Sequence, residues 1–125
     1  MKKVFLDTNV LIDYLTRRGQ FFQPAALIIQ LGQERQYQLL VSALSFATAS
    51  FILESHHKLT NEVIVQKFAQ FVKMCNVTPV DSLIIDEAIA SRFSDFEDAM
   101  QLLSHPRGCR RYHHSQQRRL RCCAD

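Results

Sequence analysis

Residues 4–15 read VFLDTNVLIDYL, a short apolar run that ends in Asp-Thr-Asn and continues as an amphipathic stretch. An apolar run of this length predicts a strand, which we place at Lys3 to Leu6, with Asp7 at its C-terminal end. The apolar residues after Asn9 recur at helical spacing and predict a helix. The chain is therefore expected to turn from a strand into a helix at Asp7.

The alternation of strand and helix continues to about residue 104. YQLLVS (37–42) and NVTPV (76–80) have strand character, and helical patterns lie between and after them, the last two being DSLIIDEAIASRF (81–93) and DFEDAMQLL (95–103). Strands that alternate with helices of this length predict an α/β fold with a parallel sheet. A length of 125 residues fits one domain.

The composition argues against a membrane or secreted protein. No apolar run approaches the roughly 18 residues that a membrane span needs. The VFL that follows the N-terminal lysines is too short for the core of a signal peptide. We therefore expect a soluble, cytoplasmic protein without a membrane partner.

Charge and cysteine are divided unevenly along the chain. Residues 1–104 hold nine Lys and Arg against eleven Asp and Glu, whereas residues 105–125 hold six Arg and one Asp. The formal net charge of +3 therefore comes from the end of the chain. Cys75 is the one cysteine before residue 105, and we expect it to be a small core residue, since a single cysteine gives no disulfide framework.

Acidic residues stand where an open α/β sheet places functional groups, at the C-terminal ends of strands. Asp7 follows the first strand, and Asp95, Glu97 and Asp98 open a late helix, with Asp95 and Asp98 on one face. Carboxylates without His or Cys suit Mg²⁺ or Mn²⁺, which can activate water and neutralise a phosphodiester transition state. The alternative is structural, since Asp7 can cap a helix and acids in a first turn complement the helix dipole.

Three stretches, VFLDTNVLIDYL, LLVSALSFA and DFEDAMQ, in this order and spacing, resemble the PIN domain family, in particular the branch whose third acidic motif is D-F-E-D-A. The resemblance covers about the first 104 residues. It implies a three-layer α/β/α sandwich with a short parallel sheet. It also implies that Asp7, Asp95 and Asp98 are catalytic residues and ligands of Mg²⁺ or Mn²⁺, and that Thr8 and Asn9 hold the turn at Asp7.

The same resemblance implies a metal-dependent endoribonuclease that is the toxin of a toxin–antitoxin pair. RNA would be the substrate. An antitoxin protein and a second copy of the chain would be the partners. Two departures bear on activity. Many relatives carry an acid on the middle helix, where this chain has Thr48, a hydroxyl without charge. The family also continues with a glycine turn, an apolar strand and T-R-N-x-x-D-F, which this chain lacks.

Residues 108–123, GCRRYHHSQQRRLRCC, match the missing passage when their codons are read one base out of register. With free synonymous choice the shifted codons give GADVIITRNKEDFAA, whose motif aspartate is encoded across Arg119 and Leu120. We therefore predict a nuclease domain at 1–104 and an out-of-frame basic tail at 105–125, with the last strand missing and activity impaired.

Other interpretations stay open at this point. The tail holds potential zinc ligands without zinc-site spacing, namely Cys109, His113, His114, Cys122 and Cys123, and its arginines with Tyr112 could form a nucleic-acid-binding arm. The alternative for the whole protein is a non-catalytic domain that binds RNA or a partner protein. A phosphatase or dehalogenase with Asp7 as nucleophile fits less well, since DTN lacks the second acid of D-x-D.

Overall fold

The structure, a computed structural model, describes residues 2–17, 19–91 and 94–104 and the backbone of residues 110–112. Its elements in chain order are β1 (Lys2–Leu6), α1 (Thr8–Thr16), α2 (Phe22–Gln33), β2 (Tyr37–Ser42), α3 (Ala43–Ser55), α4 (Asn61–Phe71), a short 3₁₀ helix (Val72–Met74), β3 (Asn76–Thr78), α5 (Ser82–Ala90), α6 (Phe96–Leu103) and β4 (Arg110–Tyr112).

The four strands form one sheet in the order β3-β2-β1-β4, and every pair of neighbours is parallel. In the register of β1 and β2, Val4 lies beside Leu39 and Leu6 beside Val41. The predicted α/β fold with a parallel sheet is confirmed. All carboxyl ends of the strands therefore meet at one edge of the sheet.

Both faces of the central strands are buried, as is usual for a parallel sheet covered by helices. Val4 and Leu6 of β1 pack in the main core cluster with apolar residues of α1, α2, α3 and α4. Phe5 and Leu40 point to the opposite face and form a second, smaller cluster. The apolar alternation along β1 and β2 thus supplies both layers of the core.

The strand β4 corrects the prediction that the last strand is missing. Arg110–Tyr112 pairs with Val4, Phe5 and Leu6 along the edge of β1 that β2 leaves open. The sequence Arg-Arg-Tyr lacks the apolar run from which a parallel strand is predicted. Ladder hydrogen bonds join backbone groups, however, so an extended segment can pair with an open strand edge whatever its side chains.

Helix boundaries agree with the caps in the sequence, with two small differences. Thr60 caps α4 and Asp81 caps α5 through their side chains, which accept hydrogen bonds from the N–H groups of Val63 and Ile84. Pro24 in the sequence predicts a helix start at that residue, but α2 begins at Phe22 and Pro24 lies within its first turn. The amphipathic pattern of residues 60–75 predicts one helix up to Cys75, whereas α4 ends at Phe71 and is followed by the short 3₁₀ helix. None of the described helices is long and apolar enough to cross a membrane.

Candidate active site at the carboxyl edge of the sheet

The order of the strands reverses beside β1, which makes the end of β1 a topological switch point of the sheet. From β1 the chain moves outward to β2 and β3 on one side and then returns to β4 on the other side. Open α/β sheets bind ligands at such a switch point, outside the carboxyl ends of the strands. Asp7 follows β1 directly, and its side chain is only 6% exposed. The fold thus places a buried carboxylate at the expected location of a ligand.

Asp7 occupies the N-cap position of α1, but its carboxylate does not cap the helix. Its backbone is extended and no side-chain capping hydrogen bond is formed. The backbone carbonyl of Asp7 instead accepts the N–H groups of Val10 and Leu11, at 3.1 and 3.3 Å. The structure therefore does not support a helix-capping role for the side chain of Asp7.

Asp95 shows the opposite behaviour. It is the N-cap of α6, and its carboxylate accepts the backbone N–H of Asp98 at 3.1 Å. Asp98 lies in the first turn of α6 with an exposed side chain. Asp95 therefore orders the helical turn that carries Asp98.

A buried hydrogen-bonded triad connects α6 to the end of β1. The side-chain amide nitrogen of Gln101 donates to the hydroxyls of Thr8 and Ser45, at 3.0 Å each. The Thr8 hydroxyl donates to that of Ser45 at 2.9 Å, and the Ser45 hydroxyl donates to the amide oxygen of Gln101 at 3.4 Å. We call Thr8, Ser45 and Gln101 the polar triad. The hydroxyl of Thr8 thus joins α1 to α3 and α6, while its role in holding the turn at Asp7 stays a prediction.

Thr48, which stands where many relatives have an acid, contacts an acid from another helix. Its hydroxyl donates to the carboxylate of Glu97 at 3.0 Å. Thr48 lies one turn after Ser45 on α3, and Glu97 lies one turn before Gln101 on α6. A carboxylate therefore reaches the middle helix in space, although the middle helix itself supplies none at this position.

The three predicted metal ligands do not form one cluster. In the part of the chain that the structure describes, no three side chains of His, Cys, Asp or Glu lie close enough together to hold a metal ion. One carboxylate oxygen of Asp95 is already used as the cap of its own helix. Asp7 and Asp98 stay the candidate oxygen donors on the two elements that the polar triad joins.

Sequence reasoning missed Ser45 and Gln101, and it grouped Glu97 with the acids of the late helix without predicting its contact with Thr48. Gln101 could have been found from its spacing, since it lies three residues after Asp98 and four after Glu97 and therefore shares their helix face. Ser45 and Thr48 are likewise one turn apart on α3. The pairing of these two faces is a tertiary contact over more than 40 positions and has no local signal.

The remaining predicted groups lie apart from this edge or outside the described residues. Cys75 follows the short 3₁₀ helix and packs against the main core, as expected, and burial raises the pKa of its thiol to about 11. Asn9 is exposed in the first turn of α1. The zinc and nucleic-acid interpretations of residues 108–123 fall outside the described residues, apart from the backbone of 110–112.

The sequence profile of the PIN domain family matches residues 3–104. The chain belongs to the PIN domain family. The predicted PIN resemblance is thereby confirmed, whereas its D-F-E-D-A branch and the shifted reading frame stay predictions. The chain is also similar to ribonuclease VapC1 of Aquifex aeolicus (strain VF5), at 24% identity over 115 residues, covering 87% of this chain and 78% of that relative.

A solved structure shares the PIN fold of this chain. It is the crystal structure of VapBC2 from Rickettsia felis bound to a DNA fragment from their promoter. The two chains superpose with a TM-score of 0.55 at 12% sequence identity, over 82% of this chain and 78% of the other. At this identity the likeness concerns the fold alone.

Proposed function

We propose that this PIN domain is a metal-dependent endoribonuclease, the toxin of a toxin–antitoxin pair. The observation that carries the proposal is Asp7, a buried carboxylate at the switch point of the sheet that is not used as a helix cap. The similarity to ribonuclease VapC1 supports RNA as the substrate. An antitoxin protein and a second copy of the chain are the partners that this role requires.

Asp7 and Asp98 are the proposed ligands of Mg²⁺ or Mn²⁺, with Asp95 in a supporting role. The donor chemistry fits, because both ions prefer oxygen ligands and Mg²⁺ is commonly bound through one or two carboxylates, several waters and the phosphates of the substrate. Asp95 supports the site by capping the turn of Asp98. A bound ion would polarise a phosphate oxygen and lower the pKa of the attacking water.

In this scheme the residues of the chain bind the metal ion and orient the RNA. Burial of Asp7 reduces the screening of its charge by water, which strengthens its attraction for a cation. The exposed side chain of Asp98 leaves the site open to a long polymer such as RNA. Glu97, held by Thr48, adds negative charge near the middle helix.

We further propose that residues 1–104 are the nuclease domain and that residues 105–125 are read out of frame. The match of the family profile to residues 3–104 supports this division. The predicted impairment then comes from the lost motif aspartate, since a strand does pair with β1. With one acid fewer, the metal should bind more weakly than in an intact relative.

A second candidate function is a non-catalytic domain that binds RNA or a partner protein. The observation that favours it is the lack of a three-carboxylate group among the described residues. Such a domain would bind RNA equally well with and without Mn²⁺. It would not shorten the RNA.

An RNA cleavage assay of the purified 125-residue chain tests the proposal. We expect slow cleavage of single-stranded RNA that needs Mn²⁺ or Mg²⁺, stops with EDTA and is lost in Asp7→Asn. Asp81→Asn is the matched control, since Asp81 caps α5 and Asn caps a helix equally well. Equal cleavage by wild type and Asp7→Asn would refute the proposed site.

A further inference from the structure

The polar triad is a closed arrangement in which each side-chain donor is used. The amide group of Gln101 donates to both hydroxyls, the Thr8 hydroxyl donates to Ser45, and the Ser45 hydroxyl donates back to the amide oxygen. Ser45 is fully buried and Gln101 is 4% exposed. Burying a polar group costs free energy unless the group is hydrogen-bonded. The three side chains therefore favour this arrangement, in which they bond to one another.

The members of the polar triad come from three helices, two of which, α3 and α6, are also joined by the hydrogen bond from Thr48 to Glu97. Thr8 is the first residue of α1 and directly follows Asp7, Ser45 lies in the first turns of α3, and Gln101 lies on α6. Gln101 is three residues after Asp98, so both side chains lie on neighbouring positions of one helix face. A contact at Gln101 therefore sets where Asp98 stands relative to Asp7.

We propose that Gln101 is a positioning residue for the metal site, which holds α6 in the register that lets Asp98 act together with Asp7. The inference rests on the proposed metal-dependent function and adds a residue that the acidic motifs do not include. A rotation of α6 by one residue is about 100°, and it would break all of the bonds of Gln101 while moving Asp98 off its face.

Glutamine suits this position better than the other residues of similar size. Its side chain offers two donor hydrogens and one acceptor, and the triad uses both kinds of group. Glutamate would remove the donors and bury a charge, and methionine would fill the space without any directional bond. The buried amide of Gln101 thus fixes the orientation of α6 through directional hydrogen bonds, which apolar packing does not provide.

Manganese binding by the full chain tests the role of Gln101. We expect Gln101→Met to fold, because the hydroxyls of Thr8 and Ser45 remain bonded to each other. Its affinity for Mn²⁺ in titration calorimetry should fall by about 10- to 100-fold, as is typical when a group that orients a metal ligand is lost. Amide hydrogens of α6 should also exchange faster, since its local anchoring is weaker.

A matched substitution separates positioning from general loss of stability. Gln30→Met, on the exposed surface of α2, should leave the Mn²⁺ affinity unchanged. If Gln101→Met does not fold, Ser45→Ala serves instead. It removes one hydrogen-bond partner of Gln101 and only a single oxygen atom from the core. Combining both changes should weaken Mn²⁺ binding no more than Gln101→Met alone, since they act on the same contact.

The possible outcomes distinguish this role from the proposed function. Wild-type protein that takes up no Mn²⁺ would refute the proposed function, and the role of Gln101 with it. Wild-type uptake that Gln101→Met leaves unchanged, while stability falls, would refute the role of Gln101 alone and make the triad purely structural. Weaker binding together with faster exchange in α6 supports the proposal.

Discussion

The side-chain amide of Gln101 donates a 3.0 Å hydrogen bond to the hydroxyl of Thr8, across 93 positions of the chain. One end of this bond is the residue after Asp7, and the other end lies one helical turn from Asp98. The helix that carries Asp98 is therefore tied by a side-chain hydrogen bond to the residue that follows Asp7. The candidate site depends on the packing of α6 as much as on the acidic motifs.

Asp95 is predicted to stabilise α6 as a cap. Asp95→Ala should lower the free energy of unfolding by about 0.5–2 kcal/mol, because it removes the acceptor of the Asp98 N–H. Asp95→Asn should retain both the stability and the Mn²⁺ affinity, since Asn caps equally well. Urea unfolding and Mn²⁺ titration check the pair. A tenfold loss of Mn²⁺ affinity in Asp95→Asn would instead make Asp95 a direct ligand.

Gly32 is predicted to be required by the packing of α2 on β2. Ala is ordinarily favoured over Gly in a helix by about 1 kcal/mol. At this position, however, a methyl group would lie 2.5 Å from Cδ1 and 2.6 Å from Cγ of Leu39, which is buried in the core.

Overpacking of this kind costs about 1–3 kcal/mol, so it outweighs the gain in helix propensity. Gly32→Ala should therefore lower the free energy of unfolding, as measured by urea denaturation. Gln30→Ala, at an exposed position on the same helix, should change the free energy of unfolding by less than about 0.5 kcal/mol. A stabilised Gly32→Ala variant would show that Leu39 moves aside easily.

Cys75 is predicted to react slowly with thiol reagents in the folded protein. Burial raises the pKa of its thiol to about 11, so the reactive thiolate is scarce at neutral pH and increases as the pH approaches that value. At pH 8 alkylation by iodoacetamide should be about 10- to 100-fold slower than for an unfolded peptide of the same sequence. Mass spectrometry of the peptide that contains Cys75 measures the rate, and urea should abolish the difference.

The encoding DNA is predicted to carry one surplus base near the codons for Ser104 to Arg107. Its removal should open the passage GADVIITRNKEDF in place of residues 108–120. Sequencing from the codon for Asp98 to beyond the stop checks this directly. A frame that stands as written would mean that residues 105–125 are translated as intended and that their arginines need an explanation of their own.

The strands and most helix starts could be predicted from the sequence because their signals are local. The apolar runs of β1 and β2, the caps Thr60 and Asp81 and the end of β1 at Asp7 each depend on a few neighbouring residues. β4 had no such signal, since Arg-Arg-Tyr pairs through backbone groups with an edge formed about 100 positions earlier. Its presence follows from the sheet and not from its own side chains.

The candidate site was predictable only in part for the same reason. The buried position of Asp7 follows from the strand that precedes it. For the acids of the late helix the sequence left open a role as partners of the helix dipole, whereas the structure makes Asp95 the N-cap of α6. The contacts from Gln101 to Ser45 and from Glu97 to Thr48 depend on how α6 packs against α3, which no single segment determines.

Calorimetric titration of the 125-residue chain with Mn²⁺ distinguishes a metal-dependent nuclease from a domain that only binds RNA or protein. We expect carboxylate-dependent uptake in the wild type that is lost in Asp7→Asn and strongly weakened in Asp98→Asn, while Asp81→Asn binds like the wild type. Uptake that survives in Asp7→Asn, or no uptake by any of the four proteins, would contradict a metal-dependent nuclease centred on Asp7.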